Sequence, residues 1–166
     1  MTALIATARR QPYLVVGLVV LIVLLAALIE GVRKVVVPAE PGFWWQVGSG
    51  TTLTAALAYQ WLLLCLRMTR QTRHLRRMYQ THRWVGVACA ISFIAHAAPS
   101  GSIWMNVLSG LFFLTALTGL MNREIVRYTK DWHYKLWFWS HVSISAAMVP
   151  MIALHIWVAL AYEGLS

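Results

Sequence analysis

The sequence predicts an all-α integral membrane protein with five transmembrane helices, and three observations predict it. Of 166 residues, 60% are hydrophobic and only 11% are Asp, Glu, Lys or Arg, where a soluble domain has roughly a quarter charged. Several apolar runs reach or approach the roughly 17 to 25 residues that a helix needs to cross hydrocarbon. The basic residues gather between those runs instead of lining a polar face. This pattern argues against a cytosolic globular protein. It also argues against a nucleic-acid binder, despite the net charge of +9, because there is too little polar surface to carry a basic face. Cys65 and Cys89 both fall inside apolar segments, which excludes a disulfide framework or a Cys-rich metal site.

The first run, Tyr13 to Ile29, follows Arg9 and Arg10. It is too long for a secretory signal and has no small-residue cleavage site, so it reads as an anchor helix. A connector with Pro38, Pro41, Gly42 and the interfacial pair Trp44 and Trp45 leads to the second run, Thr51 to Leu66. The third runs from His82 to Ala98 and stops at Pro99-Ser100-Gly101. The fourth, Ile103 to Met121, follows so closely that the two form a helical hairpin. The fifth, Leu136 to Tyr162, carries Pro150, which predicts a kink. Residues 1–49 therefore read as an anchor helix with its connector, and residues 50–166 as a four-helix transmembrane domain.

Arg67, Arg70, Arg73, Arg76, Arg77 and Arg83 lie between or beside spans two and three, and Arg123, Arg127, Lys130 and Lys135 between spans four and five. With five spans these loops share a side with Arg9 and Arg10, leaving only Arg33 and Lys34 of the 14 basic residues opposite. The positive-inside rule then sets the N-terminus in the cytoplasm and the C-terminus outside. The expected location is a bacterial inner (cytoplasmic) membrane.

The six histidines carry the chemistry. Span three holds His82 and His96, and span five holds His141 and His155, so each reads H-x13-H. Fourteen residues bring two side chains within about 40° of one face and about 21 Å apart along the axis. Spans three and five run parallel in this topology, which sets His82 level with His141 and His96 level with His155. Each pair is an axial ligand set for one haem b, since neutral imidazole is a standard ligand on both faces of iron. An ionisable residue inside a membrane also defaults to a functional reading. The bland alternative is histidine used as hydrogen-bonding glue between helices. No C-x-x-C-H is present, so the two haems are non-covalent.

His74 and His133 precede the first ligands in the two basic loops, off the ligand stripe. Gly86, Ala97, Ala98, Ser143, Ala146 and Ala147 offer either clearance for flat macrocycles or ordinary close packing. Arg77, Arg83 and Lys135 are candidates to pair with propionates of the inner haem, with topology as their other role. Gln60, Tyr59, Asn106 and Trp104 are candidate quinone-lining residues, or else interhelical and interfacial anchors.

The stretch HRWVGVACAISFIAH, followed by LTGLMNREIVRYTKDWHYKLWFWSHVSISAAMVPMIALHIW, resembles the ferric reductase-like transmembrane domain of ferric reductases and NADPH oxidases. The likeness covers about residues 50–160 and rests on H-R-x-x-G at the first ligand, Thr118-Gly119, the basic inner loop, the aromatic run before His141 and the second H-x13-H. It implies an inner haem on His82 and His141, an outer haem on His96 and His155, and electron flow from cytoplasmic donors to an outside acceptor. The doublet is also used by cytochrome b of the quinol-oxidising respiratory complex.

Unlike those reductases, the chain stops after span five, with no flavin or nicotinamide domain and no G-x-G-x-x-G. The expectation is a membrane-bound diheme b-type cytochrome, an electron-transfer subunit with no catalytic residue for hydride transfer. Its expected partners are membrane lipids and a redox protein or subunit. The alternatives are a quinone-linked anchor of a larger oxidoreductase and a cofactor-free membrane scaffold.

Overall fold

The computed structural model describes residues 12–28, 42–70, 73, 75–97, 103–121, 126 and 128–163. All regular structure among them is α-helical, in five helices: α1 (Pro12–Ala27), α2 (Phe43–Met68), α3 (Leu75–His96), α4 (Ile103–Leu120) and α5 (Asp131–Glu163). The Val- and Ile-rich runs would favour strands in water. In hydrocarbon every backbone N–H and C=O needs a partner within its own segment, and the helix supplies one.

Three helices are long and apolar enough to cross a membrane, namely α2, α4 and the Asp131–Ala161 part of α5. α1 has 16 residues, a rise of about 24 Å, against a core of about 30 Å. α3 has 22 residues, but Arg76, Arg77 and Arg83 make its first half polar. α5 runs as one helix of 33 residues through Pro150.

Helix starts differ from the apolar runs that announce them. α2 begins at Phe43 and takes in the tryptophans and glycines that read as connector, with Gly42 as its N-cap. α3 starts at Leu75 and α5 at Asp131, so His82 and His141 sit well inside their helices. Asp131 in the first turn of α5 favours that start, because an acidic side chain complements the positive end of the helix dipole. α2 ends where Arg70 takes φ 56, a left-handed position after Thr69 N–H has donated to the Cys65 carbonyl at 2.9 Å.

The chain forms two compact units, Met1–Ala98 and Pro99–Ser166. In the first, α3 packs against both α1 and α2, which is why it carries the buried residues Val87, Cys89, Ala90 and Phe93. α1 buries Tyr13, Gly17, Leu21 and Leu24 at helical spacing. In the second unit α4 packs on α5, burying Leu108, Phe112 and Met148. The expected division at residues 49 and 50 is one of composition, whereas this boundary is one of packing and follows from α1 resting on α3.

Many of the outward-facing side chains are apolar. Trp44 is 80% and Ile103 82% exposed, and Ile22, Trp139, Trp157 and Leu160 are also exposed. A surface of this kind suits lipid and not water. His74, the turn at Pro99-Ser100-Gly101, and Arg9, Arg10, Arg33, Lys34, Arg123 and Arg127 lie outside the described residues.

Candidate functional site

Within the first unit, contacts fix α2 antiparallel to α3. Trp45 Nε1 reaches the Ala95 carbonyl at 3.4 Å, Ser49 reaches His96, Tyr59 reaches Thr81 and Gln60 reaches His82. Trp45 and Ser49 near the start of α2 meet Ala95 and His96 at the end of α3, and Tyr59 and Gln60 meet Thr81 and His82, so His96 lies beside the start of α2 and His82 beside its second half. The two imidazoles of this doublet share one continuous helix, as the spacing requires, about 21 Å apart in rise.

The His96 ring meets α2 at Ser49 and Gly50. Ser49 Oγ is 3.0 Å from His96 Nδ1, and a Cβ built on Gly50 would come within 2.9 Å of His96 Cε1. A side chain at that position would require the ring or the helix to shift. The backbone carbonyl of His82 accepts a 3.0 Å bond from Gln60 Nε2, and the same amide lies 3.3 Å from where a Gly86 Cβ would stand. Gly86 therefore makes room for Gln60. Tyr59 donates to Thr81 Oγ1 at 3.1 Å, so Tyr59 and Gln60 both bridge α2 and α3.

Arg83, next to His82, is held between two aromatic rings. Its guanidinium carbon is 4.4 Å from the Tyr13 ring centroid and 4.0 Å from that of Tyr79. Contacts of this kind contribute about 0.5–2 kcal/mol, more as water is excluded, and this one ties α1 to α3. Arg77 and Lys135 are exposed, as are Ser143, Ala146 and Ala147.

In the second unit α4 is antiparallel to α5, with Trp104 beside His155, Thr115 beside Met148 and Thr118 beside His141. Thr118 Oγ1 is 3.0 Å from His141 Nδ1, and a Cβ on Gly119 would be 3.4 Å from His141 Cε1. One turn earlier, the Trp137 ring stacks with that imidazole at 6.2 Å and 11°, while its Nε1 donates to the Thr118 carbonyl at 2.8 Å. The His155 ring lies against Trp104, 5.7 Å between centroids. His133 touches its neighbour Trp132. In the preceding loop Tyr128 donates its hydroxyl to the Met121 carbonyl at 2.6 Å, and partial burial pushes its phenol above the ordinary value.

Both units thus repeat one arrangement, a hydroxyl-glycine dipeptide of the neighbouring helix laid against a histidine ring. Hydrogen bonds between membrane helices average about 0.6 kcal/mol. That is too little to hold two helices together and enough to bias how a ring sits. Ser49 and Gly50 escape a sequence reading that starts the span at Thr51, because their role depends on α2 beginning at Phe43. Ser-Gly occurs again at Ser109-Gly110, where nothing approaches the glycine, so the dipeptide alone does not point to them.

Among the described residues no three His, Cys, Asp or Glu side chains gather as a metal site, and each expected haem pair draws one histidine from each unit. No protein-family model, curated protein or solved structure matches the chain.

Proposed function

We propose that the chain is a membrane-bound diheme b-type cytochrome, an electron-transfer subunit that works with separate redox proteins. One observation carries the reading: each of two continuous helices presents two histidines fourteen residues apart, and in each unit one of those rings has a hydroxyl at Nδ1 and a glycine at Cε1. The fit to haem lies in that chemistry. Neutral imidazoles with a hydrogen-bond partner at the other ring nitrogen are the donor set that iron of a b-type haem takes.

In this reading His82 and His141 hold the inner group and His96 and His155 the outer one. Haem b bound there supplies reversible one-electron transfer. The chain's own residues hold and orient: Ser49 and Thr118 set ring orientation, Trp104 and Trp137 cover ring faces, and the apolar helices exclude water. The basic residues between α2 and α3 and before α5 offer a positive face to an anionic partner surface or lipid headgroups. Of the candidates for propionate pairing, Arg77 and Lys135 are exposed, whereas Arg83 already has two aromatic partners.

The reading also needs all five helices in the bilayer, with the N-terminus inside. Arg76 and Arg77 then mark the level where α3 leaves the hydrocarbon, and α1 spans by local thinning of the bilayer. A quinone-linked anchor is the competing reading, and it draws on Tyr59 and Gln60. Tyr59 Oη and Gln60 Nε2 are engaged between α2 and α3, while Gln60 Oε1 is buried without a partner among the described residues.

The test is haem content. Purified protein should yield two non-covalent haems per chain by pyridine haemochrome assay, with a sharp reduced band of low-spin bis-imidazole iron. A chain purified without haem that also takes up none on titration overturns the proposal.

A further inference from the structure

The turn between α2 and α3 gathers positive charge with no carboxylate of its own unit to balance it. Arg67, Arg70, Arg73, Arg76 and Arg77 fall within eleven residues, and no Asp or Glu occurs between Glu40 and Glu124. Glu40 precedes α2, whose 26 residues rise about 39 Å before the turn begins. Glu30 follows α1, at the end away from the contact of Tyr13 with Arg83. Arg70, Arg73 and Arg77 are exposed. Arg77 also stands in the first turn of α3, which has no acidic residue, so its charge opposes the positive end of that helix dipole.

Arg70 sits in a strained position as well. Its φ of 56 lies in the left-handed region, which glycine adopts freely and other residues do not. The turn itself therefore gives no reason for an arginine there. Apolar side chains are exposed beside these cations: Met68 is 76% and Leu62 44% exposed. Leu62, Cys65 and Thr69 follow at helical spacing along one exposed stripe of α2, and Leu62 lies about 12 Å of rise before Arg70. An anionic protein surface or a nucleic acid would meet the guanidinium groups and leave that stripe in water. A phospholipid meets both, since a planar guanidinium suits phosphate and an acyl chain suits the stripe.

We infer that the α2–α3 turn is a binding site for an anionic phospholipid, with Arg70, Arg73 and Arg77 on the headgroup phosphate and an acyl chain along Leu62 and Cys65. The site rests on α2 spanning a bilayer and on no property of the histidines.

The test uses full-length protein in phosphatidylcholine vesicles that hold a minor share of a lipid with a nitroxide on its acyl chain. A fluorescent dye is attached at Cys65, which is exposed, whereas Cys89 is 3% exposed. Labelled phosphatidylglycerol should quench the dye at least about five-fold more efficiently than labelled phosphatidylcholine, the worth of one arginine near a membrane surface. Both lipids occupy both leaflets, so the ratio does not depend on which way the protein inserts. Taken on one preparation, it does not depend on haem content either. Replacing Arg70, Arg73 and Arg77 together by Gln should bring the ratio below about two, and Arg70→Gly, which suits the backbone and keeps the turn, should lower it about two-fold.

Equal quenching by the two lipids, or a ratio unchanged in either variant, overturns the site. Displacement of phosphatidylglycerol by soluble glycerol phosphate assigns the arginines to a free anion and overturns the lipid. No quenching by either lipid overturns the placement of α2 in a bilayer and the site with it. The expected ratios in a protein that takes up no haem uphold the site and count against the haem reading alone.

Discussion

Ser49 Oγ of α2 stands 3.0 Å from Nδ1 of His96, the last residue of α3. The neighbouring Gly50 gives way to the same ring so closely that a single methyl group would meet Cε1 at 2.9 Å. In the second unit the corresponding distance, Gly119 to His141, is 3.4 Å, which is ordinary contact. The two glycines are therefore unequal.

That inequality predicts two alanine variants of different cost. Gly50→Ala forces the ring or the helix to move and should destabilise the protein by about 1–3 kcal/mol, as overpacking does. Gly119→Ala should cost less than about 1 kcal/mol. Thermal unfolding of both variants in one detergent measures the difference, and an equal loss, or the reverse order, counts against the packing described at His96.

The histidine variants should fall into two classes. His82→Ala and His141→Ala should each remove the same haem signal, and His96→Ala and His155→Ala the other. Redox titration of the remaining haem in each variant identifies the class. If His82→Ala and His155→Ala shared a spectrum, the level assignment would be wrong and spans three and five would not run parallel.

Arg83 offers a test of the contact between α1 and α3. Arg83→Lys keeps the charge and loses the planar face that stacks on Tyr13 and Tyr79, so it should lower stability by about 0.5–1 kcal/mol. Tyr13→Leu should do the same, and the double variant should lose less than the two single losses combined. Additive losses in the cycle would show that the rings and the guanidinium do not act on each other.

Orientation is checked by reporter fusions. A reporter joined after Ser166 should be active only outside the cytoplasm, and one inserted between Thr69 and His74 only inside it. The opposite result would invert the proposed topology and exchange the inner and outer pairs.

Much of this architecture is legible in the sequence, and the reason is the length of the signals. A helix that must satisfy its own backbone in lipid announces itself by a sustained apolar run, and H-x13-H survives any small error in where the helix begins. Boundaries are different. Trp44, Gln46, Gly48 and Ser49 look like connector by composition, yet α2 includes them, because a helix end is set by capping and packing. Partners such as Ser49 for His96, Thr118 for His141 and Tyr13 for Arg83 depend on interhelical register, and a single sequence holds no record of register. At Gly86, where the sequence leaves ligand clearance and close helix packing both open, the register shows the packing partner, Gln60.

The stacking of Arg83 on Tyr13 also bears on how the chain enters a bilayer. An arginine deep in a nascent helix opposes insertion by up to about 3 kcal/mol, and α3 carries Arg76, Arg77 and Arg83 in its first half. Tyr79 travels with α3, but Tyr13 belongs to a helix that leaves the ribosome earlier. In the five-span topology proposed above, α1 would be in place as a docking partner when Arg83 emerges, and the guanidinium would pass onto an aromatic face. In that topology, synthesis without α1 would leave Tyr79 as the one described aromatic ring over the Arg83 guanidinium, and α3 would partition back toward the membrane surface.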